Sequence, residues 1–263
     1  MIWDIRIETL IRQSEERETG MMCKGKVAIV TGAAGKGMGR SIALTLAREG
    51  ATVLINYRAS VNAASAIVKY IESQGGQAVA FQADICQQNQ CEAMYHATVQ
   101  KFGRVDICII GPGGSWHPEA IDKLDSTAAL EDVYQEMAPL YHLMPLVLPG
   151  MYAQKWGRLI GISSLLSKRS PSFAYDAAKA ARTHAMLRAT DDAWPHGVTV
   201  NIITPGPVGE VMSLEEAIEL CEHGPKWEER SNVTPQDIAE GVAMLCSESG
   251  RFITGCEIPY MFC

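Results

Sequence analysis

Tyr175 and Lys179 are the residues whose types and spacing most directly suggest chemistry. They lie four positions apart in a segment predicted to be helical, so their side chains share one face of the helix. A lysine ammonium close to a phenol stabilises the phenolate and lowers the pKa of the tyrosine, which could then act as a general acid or base near neutral pH. The same spacing arises by chance in many helices, so the pair needs support from other residues.

Ser164 provides such support, because it directly follows the strand predicted over residues 158–162. The carboxyl ends of parallel strands are where this kind of sheet presents ligands. The Ser164 hydroxyl could therefore hold a carbonyl oxygen.

A glycine-rich turn over residues 31–39 lies between an apolar strand, Val27–Val30, and a helix predicted over residues 41–49. Glycine lets the backbone come close to a pyrophosphate, and the N-terminus of the following helix offers free N–H groups and the positive end of a dipole. An isolated glycine pattern also fits an ordinary tight turn. The strand before it and the helix after it favour a dinucleotide site.

Predicted strands alternate with predicted helices along most of the chain. Further strands are predicted over 52–56, 78–81, 105–110, 158–162, 198–203 and 257–260, the last at an edge; helices are predicted over 60–73, 88–101, 174–193, 214–221 and 235–245. This alternation predicts right-handed crossovers. The fold class is therefore α/β, a doubly wound parallel sheet of about seven strands with helices on both faces.

The segment 126–148 should hold a long helix, but Pro139 and Pro145 lie inside it. Each proline lacks the backbone N–H donor and crowds the preceding turn. We expect a kink or two shorter helices here. Residues 137–153 are strongly apolar, which fits an interface between subunits and burial within one subunit equally well.

Charge and composition exclude several classes of function. The formal net charge of the 263 residues is −7 and there is no basic run, which argues against nucleic-acid binding. The eight cysteines form no CxxC pair and no zinc-ligand pattern. We therefore expect no metal site, reduced and mostly buried thiols, and a cytoplasmic location.

The N-terminal region has no apolar core typical of a signal peptide, because Asp4, Arg6 and Glu8 interrupt it. Residues 1–24 are interpreted as an extension, either an amphipathic helix or a loosely ordered segment, and Met21 or Met22 could be the native start. Residues 25–263 are predicted to form one domain. No segment is suited to span a membrane, since the most apolar window contains His142 and prolines.

Taken in order, these motifs resemble the classical short-chain dehydrogenase/reductase family, and among its members the 3-oxoacyl-carrier-protein reductases. The resemblance runs from about Lys24 to the C-terminus. The matching stretches are TGAAGKGMGRSIA (31–43), Asp84 after the third strand, KFGRVD (101–106), GRLIGISS (157–164), YDAAK (175–179), VNIITPGPV (200–208), TPQDIAEGVAML (234–245) and FITG (252–255).

The resemblance implies a Rossmann-type domain that transfers hydride between a nicotinamide cofactor and a carbonyl or secondary alcohol. It implies that Tyr175 is the proton donor or acceptor, that Lys179 also holds the nicotinamide ribose, and that Ser164 orients the substrate oxygen. It further implies a small-molecule substrate, possibly an acyl thioester, and a homotetramer or homodimer. The implied cofactor-binding residues are Gly32, Gly37, Met38, Gly39, Asp84, Ile85, Lys179, Pro205 and Gly206.

The choice of cofactor can be argued from three further residues. NAD sites usually have an acidic residue at the end of the second strand, where this chain has the neutral Asn56. Lys36 in the glycine turn and Arg58 just past Asn56 could pair with a 2′-phosphate. We predict NADP(H) rather than NAD(H); the alternative is that both cations point into solvent.

The chain also departs from the pattern of the family. The glycine turn is one residue longer than usual, and residues 110–113 (IGPG) stand where the family has NNAG. Glu136 falls where the family has a catalytic asparagine. A carboxylate there could serve a proton relay, could pair with Lys179 and raise its pKa, or could face solvent.

Two interpretations of function therefore remain. The first is an oxidoreductase that uses Ser164, Tyr175 and Lys179. The second is a non-catalytic dinucleotide-binding or regulatory protein on the same fold, because a fold does not settle function and the family's asparagines are missing. Lys168 and Arg169 would suit an acidic or carrier-bound substrate, or form a solvated basic loop.

Overall fold

The computed structural model describes residues 20–111, 114, 117, 119–165, 172–209, 213–226 and 232–261. Within these residues the strands are β1 (Val27–Val30), β2 (Thr52–Tyr57), β3 (Ala78–Gln82), β4 (Ile107–Ile110), β5 (Gly157–Ile162), β6 (Val198–Pro205) and β7 (Cys256–Tyr260). They form one sheet in the order β3-β2-β1-β4-β5-β6-β7, and every pairing is parallel. The predicted sheet is confirmed.

Helices connect successive strands. In the described residues they are α1 (Met38–Arg48), α2 (Val61–Ser73), α3 (Gln88–Phe102), α4 (Ser126–Ala153), α5 (Phe173–Arg188), α6 (Thr190–Ala193), α7 (Leu214–His223) and α8 (Pro235–Cys246), with short 3-10 turns at Ile121–Lys123 and Trp194–His196. Most bounds agree with the predicted ones within two residues. The helix predicted over 174–193 is in fact divided, because α5 ends at Arg188.

The sheet is buried on both faces, as its continuous apolar strands require. Neighbouring residues of one strand enter different cores: Ala28 and Val30 join one cluster, and Ile29 joins the other. The first cluster packs against α1, α2 and α8, and the second against α3, α4 and α5. Helices therefore cover both faces, and the carboxyl edge of the sheet is left to loops.

Helix α4 is one continuous helix of 28 residues, although Pro139, Pro145 and Pro149 lie inside it. The expectation of two shorter helices is wrong. Asp125 caps its start by accepting hydrogen bonds from the N–H groups of Thr127 and Ala128. A buried stripe then packs it against the sheet, and this packing outweighs the backbone bonds that the prolines remove; the stripe is Leu140, Leu143, Val147 and Met151.

The second correction concerns β6, which extends through Thr204 and Pro205, two residues assigned to a loop from the sequence. Thr204 and Pro205 pair with Pro259 and Tyr260 of β7. Proline tolerates this position because its missing N–H is not needed at the end of a strand. The turn Pro205–Gly206 is consequently held at the carboxyl end of the sheet.

The described residues also bear on cysteine usage and membrane insertion. Their cysteines are all free, and each except Cys256 is buried. None of their helices combines the length and the apolar character that crossing a membrane requires.

Candidate active site

The topology gathers most of the predicted site residues along one edge of the sheet. Because all seven strands are parallel, their carboxyl ends lie at that edge. The residues that follow or end these strands are Gly32, Lys36, Gly37, Met38 and Gly39 after β1, Asn56 and Arg58 at β2, Asp84 and Ile85 after β3, Ser164 after β5, and Pro205 and Gly206 at β6. A crevice at this edge is where sheets of this type bind their ligands.

Close backbone packing shapes the glycine turn. Thr31 joins β1 to β4: its hydroxyl donates to the Ile109 carbonyl at 3.1 Å and accepts from the Gly111 N–H at 2.6 Å. A Cβ atom on Gly39 would lie 2.7 Å from the Gly32 carbonyl oxygen, so only glycine fits there. Gly37 precedes α1 without a side-chain cap. The turn therefore fits a pyrophosphate that binds the N-terminus of α1.

Asn56 braces this turn. Its side-chain oxygen accepts from the Gly32 N–H at 3.1 Å, and its side-chain amide donates to the Ala83 carbonyl at 3.0 Å. Its own carbonyl accepts from the Ala33 N–H at 2.9 Å. Asn56 is buried, so its amide serves the junction of β1, β2 and β3. From the sequence Asn56 was considered only as a neutral replacement for an acidic residue.

Lys36 and Arg58 are both exposed. Lys36, Gly37 and Met38 line one side of an open cavity of about 280 Å³, and Val208, Gly209 and Pro235 line the other. A cation thus stands at the mouth of the glycine turn. Within the described residues, no side chain forms an ion pair with Lys36.

Asp84 and Ile85 form the turn after β3. The Asp84 carboxylate accepts from the Cys86 N–H at 2.9 Å, and the Asp84 N–H donates to the Gln90 side chain at 2.7 Å. Ile85 is buried. Asp84 is half-buried, so one side of its carboxylate orders the turn and the residue still borders the carboxyl edge.

The two serines after β5 have different environments. The Ser163 hydroxyl donates to the Lys179 carbonyl at 3.3 Å and accepts from the Thr183 hydroxyl at 3.0 Å, which ties β5 to α5. The Ser164 hydroxyl oxygen is buried and has no well-formed hydrogen bond within the described residues. A buried hydroxyl of this kind fits a substrate oxygen that would complete its bonding.

Tyr175 and Lys179 lie on one face of α5, with the Lys179 Nζ atom 5.1 Å from the centre of the Tyr175 ring. Burial raises the pKa of Tyr175, the nearby Ser164 hydroxyl lowers it, and the charges of Glu136 and Asp176 raise it further. The expected lowering of the tyrosine pKa by Lys179 is therefore not the dominant effect. The phenol, the Ser164 hydroxyl and the ammonium do lie together.

Glu136 reaches the site from α4. Its Oε1 atom lies 2.7 Å from Nζ of Lys179, and each side chain is only 2% exposed. Of the three possibilities considered for Glu136, the structure has the ion pair with Lys179. The pKa of Lys179 is lowered overall, because burial outweighs the raising effect of the Glu136 carboxylate.

Arg182 is the residue that the sequence reasoning missed. Its guanidinium is fully buried and donates to the carbonyls of residues 110, 111, 136 and 162, at distances of 2.6 to 3.0 Å. It therefore supplies hydrogen bonds at the carboxyl end of β4, where residues 110–113 replace the family's polar asparagines. An arginine three positions after Lys179, on the same face of an alanine-rich helix, was the available clue.

The turn at the end of β6 closes the site on the side of β7. The Gly206 N–H donates to the Tyr260 carbonyl at 2.8 Å, and the Leu165 N–H donates to the Pro205 carbonyl at 2.9 Å. The segment after Ser164 is thereby held against Pro205. Residues 112–113 and the basic residues Lys168 and Arg169 lie outside the described residues.

Comparison with known proteins adds to this geometry. A family model described as short chain dehydrogenase matches residues 26–218. The chain belongs to the short-chain dehydrogenase family. The family resemblance inferred from the motifs is thus confirmed, and with it an oxidoreductase that uses a nicotinamide cofactor.

Relatives of this family member include enzymes with different substrates. The chain is 31% identical over 239 residues to 7alpha-hydroxysteroid dehydrogenase of Escherichia coli K12, covering 88% of this chain and 91% of that protein. It is 29% identical over 242 residues to 3-oxoacyl-[acyl-carrier-protein] reductase FabG of Staphylococcus epidermidis, covering 88% and 95%.

A similar solved structure is that of 7 alpha-hydroxysteroid dehydrogenase in complex with NADH and 7-oxo glycochenodeoxycholic acid. It matches with a TM-score of 0.79 and 28% identity over 91% of this chain and 94% of that one. The shared fold and the carboxyl-edge site agree with the short-chain dehydrogenase family.

Proposed function

We propose that this short-chain dehydrogenase is an NADP(H)-dependent oxidoreductase that acts on a carbonyl or secondary alcohol, with Tyr175 as proton donor or acceptor. The observation that carries the proposal is the buried Ser164 hydroxyl, without a well-formed hydrogen bond in the described residues, beside the Tyr175 phenol. Two hydroxyls that converge in a partly buried crevice suit one substrate oxygen.

The roles of the three side chains follow from their positions. Ser164 donates a hydrogen bond to the substrate oxygen, and Tyr175 passes a proton to or from the same oxygen. Lys179 lies behind the tyrosine ring, where its ammonium would also bind the hydroxyls of the nicotinamide ribose. The bound nicotinamide supplies or accepts the hydride.

The pKa of Tyr175 bears on how the rate of each direction depends on pH. Because burial and nearby carboxylates raise this pKa above that of an ordinary tyrosine, the phenol is protonated at neutral pH. A protonated phenol donates its proton to a carbonyl that is being reduced. We therefore propose that catalysis of reduction is fastest near and below neutral pH and that catalysis of alcohol oxidation gains rate at alkaline pH.

The preference for NADP(H) rests on the charges around the glycine turn. Asn56 brings no carboxylate to the end of β2, so this side chain does not repel a 2′-phosphate. Lys36 in the glycine turn and Arg58 just past β2 are exposed cations, which would pair with an added phosphate. The glycines of the turn and the uncapped start of α1 fit the pyrophosphate.

The decisive experiment measures consumption of NADPH and NADH with a panel of ketones, diketones, 3-oxoacyl thioesters and steroid ketones. Tyr175→Phe should lower turnover about 100- to 10,000-fold, the usual contribution of a general acid. Tyr70→Phe is the matched control, because it removes the same hydroxyl group from a tyrosine of α2 whose partner is exposed Glu222. Full turnover in Tyr175→Phe, or tight cofactor binding without turnover on every compound, would instead favour the non-catalytic binding protein.

Two further proposals accompany this one. Tyr134 and Tyr141 are exposed on α4, which supports a homodimer or homotetramer assembled through this helix. Light scattering with Tyr141→Glu would test it: a lower mass in the variant supports the interface, and an unchanged mass argues against it. A cytoplasmic location stays a prediction from cysteine usage.

A further inference from the structure

The buried charges beside Tyr175 do not balance in pairs. Two cations, Lys179 and Arg182, share the single carboxylate of Glu136. All three side chains are at most 2% exposed, so water cannot screen a change in any one of them. One Glu136 oxygen lies 2.7 Å from Lys179 and the other lies 3.7 Å from Arg182.

Arg182 also fixes the backbone around this carboxylate. It donates to the carbonyl of Glu136 itself at 2.7 Å, and thereby holds the turn of α4 that presents the carboxylate. It donates in addition to the Ile110 carbonyl at the end of β4 and to the Ile162 carbonyl at the end of β5. The Arg182 side chain thus connects α4 with β4 and β5, next to Lys179.

We propose that Glu136 and Arg182 act together as a positioning unit for Lys179, in which the effect of replacing one residue depends on the other. Glu136 fixes the ammonium beside Tyr175, and Arg182 fixes Glu136. The inference rests on the proposed function, because positioning matters only if Lys179 and Tyr175 take part in turnover. Through its bonds to the carbonyls of Ile110 and Gly111, the same arginine also supplies hydrogen bonds at the end of β4, where the chain departs from the family pattern.

The unit should also act on Tyr175 through its charge. The groups that face the phenol are Ser164 after β5, Glu136 from α4, and Lys179 and Asp176 from its own helix. Asp132 lies one turn before Glu136 and is paired with His117 at 2.8 Å. Of these groups, Glu136 is the carboxylate whose removal leaves Lys179 as an unopposed cation.

The test compares pH profiles of turnover in wild type, Glu136→Gln and Asp106→Asn. Loss of the Glu136 charge should lower the pKa of Tyr175, because a nearby negative charge has been removed. The alkaline limb of the profile should therefore move to lower pH by roughly one unit. Asp106→Asn is the matched control: Asp106 is also buried and paired with an arginine, but it lies at the opposite edge of the sheet. It should lower stability and leave the profile in place.

A second variant guards against poor folding of Glu136→Gln. Glu136→Asp keeps the charge and withdraws the carboxylate from Lys179 by one methylene. Its kcat should fall several-fold, whereas its pH profile should stay that of wild type. A purely structural role of Glu136 predicts equal, unshifted profiles in both variants.

A double-mutant cycle tests whether Glu136 and Arg182 are interdependent without relying on activity. Glu136→Gln, Arg182→Met and the double variant are compared by thermal unfolding. We expect the double variant to lose about 5 °C less than the sum of the two single losses, as residues in direct contact do. Additive losses would mean that the two residues act separately.

These measurements distinguish failure of the proposed function from failure of the positioning unit. If wild type turns over no substrate and Tyr175→Phe changes nothing, the proposed function is wrong, and the cycle still reports on the coupling. If Tyr175→Phe abolishes turnover while Glu136→Gln leaves the profile unshifted and the cycle is additive, the oxidoreductase stands and the positioning unit is overturned.

Discussion

Asp106 and Glu136 are both buried carboxylates, but they stand at opposite edges of the same sheet. Asp106 precedes β4 at the amino edge, where it accepts from the Val27 N–H and from Arg104, both at 2.9 Å. The Arg104 side chain is 44% exposed. Glu136 lies at the carboxyl edge, and both of its cationic partners are buried.

The difference shows how the exposure of the partner cations sets the cost of removing a buried carboxylate. If Asp106 is lost, water can hydrate Arg104, and the main loss is one hydrogen bond to the backbone. If Glu136 is lost, two cations are left in the interior without a counter-charge. The carboxyl edge is therefore the more fragile place to change a charge, and the side chains proposed to be catalytic lie there.

The largest expected effect is the contrast between Glu136→Ala and Asp106→Ala in the free energy of unfolding. Breaking a buried pair should cost about 3–5 kcal/mol in Glu136→Ala, whereas the unsatisfied Val27 N–H should cost about 1–3 kcal/mol in Asp106→Ala. Urea unfolding measures both values. Equal losses would remove the distinction between the two edges.

A glycine pair gives the next contrast. Gly39→Ala places a Cβ atom 2.7 Å from the Gly32 carbonyl oxygen, and overpacking of this kind costs about 1–3 kcal/mol. Gly103, after α3 at the amino edge, has a φ of +81° and open space around it, so Gly103→Ala should cost about 1–2 kcal/mol through backbone strain alone. Calorimetry with NADPH should show weakened binding in Gly39→Ala and unchanged binding in Gly103→Ala.

Cations at the two edges should differ in their effect on cofactor choice. Lys36→Ala should weaken binding of NADPH about tenfold, or about 1.4 kcal/mol, through loss of a charge-assisted contact. Binding of NADH should hardly change. Lys101→Ala, at the end of α3, is the control and should affect neither cofactor. Equal loss of affinity for both cofactors in Lys36→Ala would mean that Lys36 does not select the 2′-phosphate.

The smallest effect is expected from Arg104→Ala. Asp106 keeps the Val27 N–H and the Gln154 amide as donors, and the cation that is lost is partly exposed, so the ion pair itself should contribute about 0–1 kcal/mol and be screened by salt. Its cost should shrink further in 0.5 M sodium chloride, whereas the cost of Glu136→Gln should not depend on salt because its partners are buried. Parallel unfolding curves at low and high salt measure this difference.

Much of the fold was predictable because its cues are local. The continuous apolar runs marked β1, β2 and β5, and Pro235 marked the start of α8, where the structure has a capping box between Thr234 and Asp237. The continuous course of α4 was not predictable in this way. Its prolines weaken the helix locally, and packing of distant residues against the sheet compensates for them.

The same distinction between local cues and the packing of distant segments applies to the candidate site. By itself the sequence determined the family, the parallel sheet, and the candidate residues Ser164, Tyr175 and Lys179, because strand pattern, helix spacing and motif order are readable along the chain. Only the tertiary structure decided that Glu136 pairs with Lys179 and that Arg182 supports both. The physical reason is that ion pairs and carbonyl contacts between α4, α5 and the strand ends depend on how distant segments pack, and burial sets their strength.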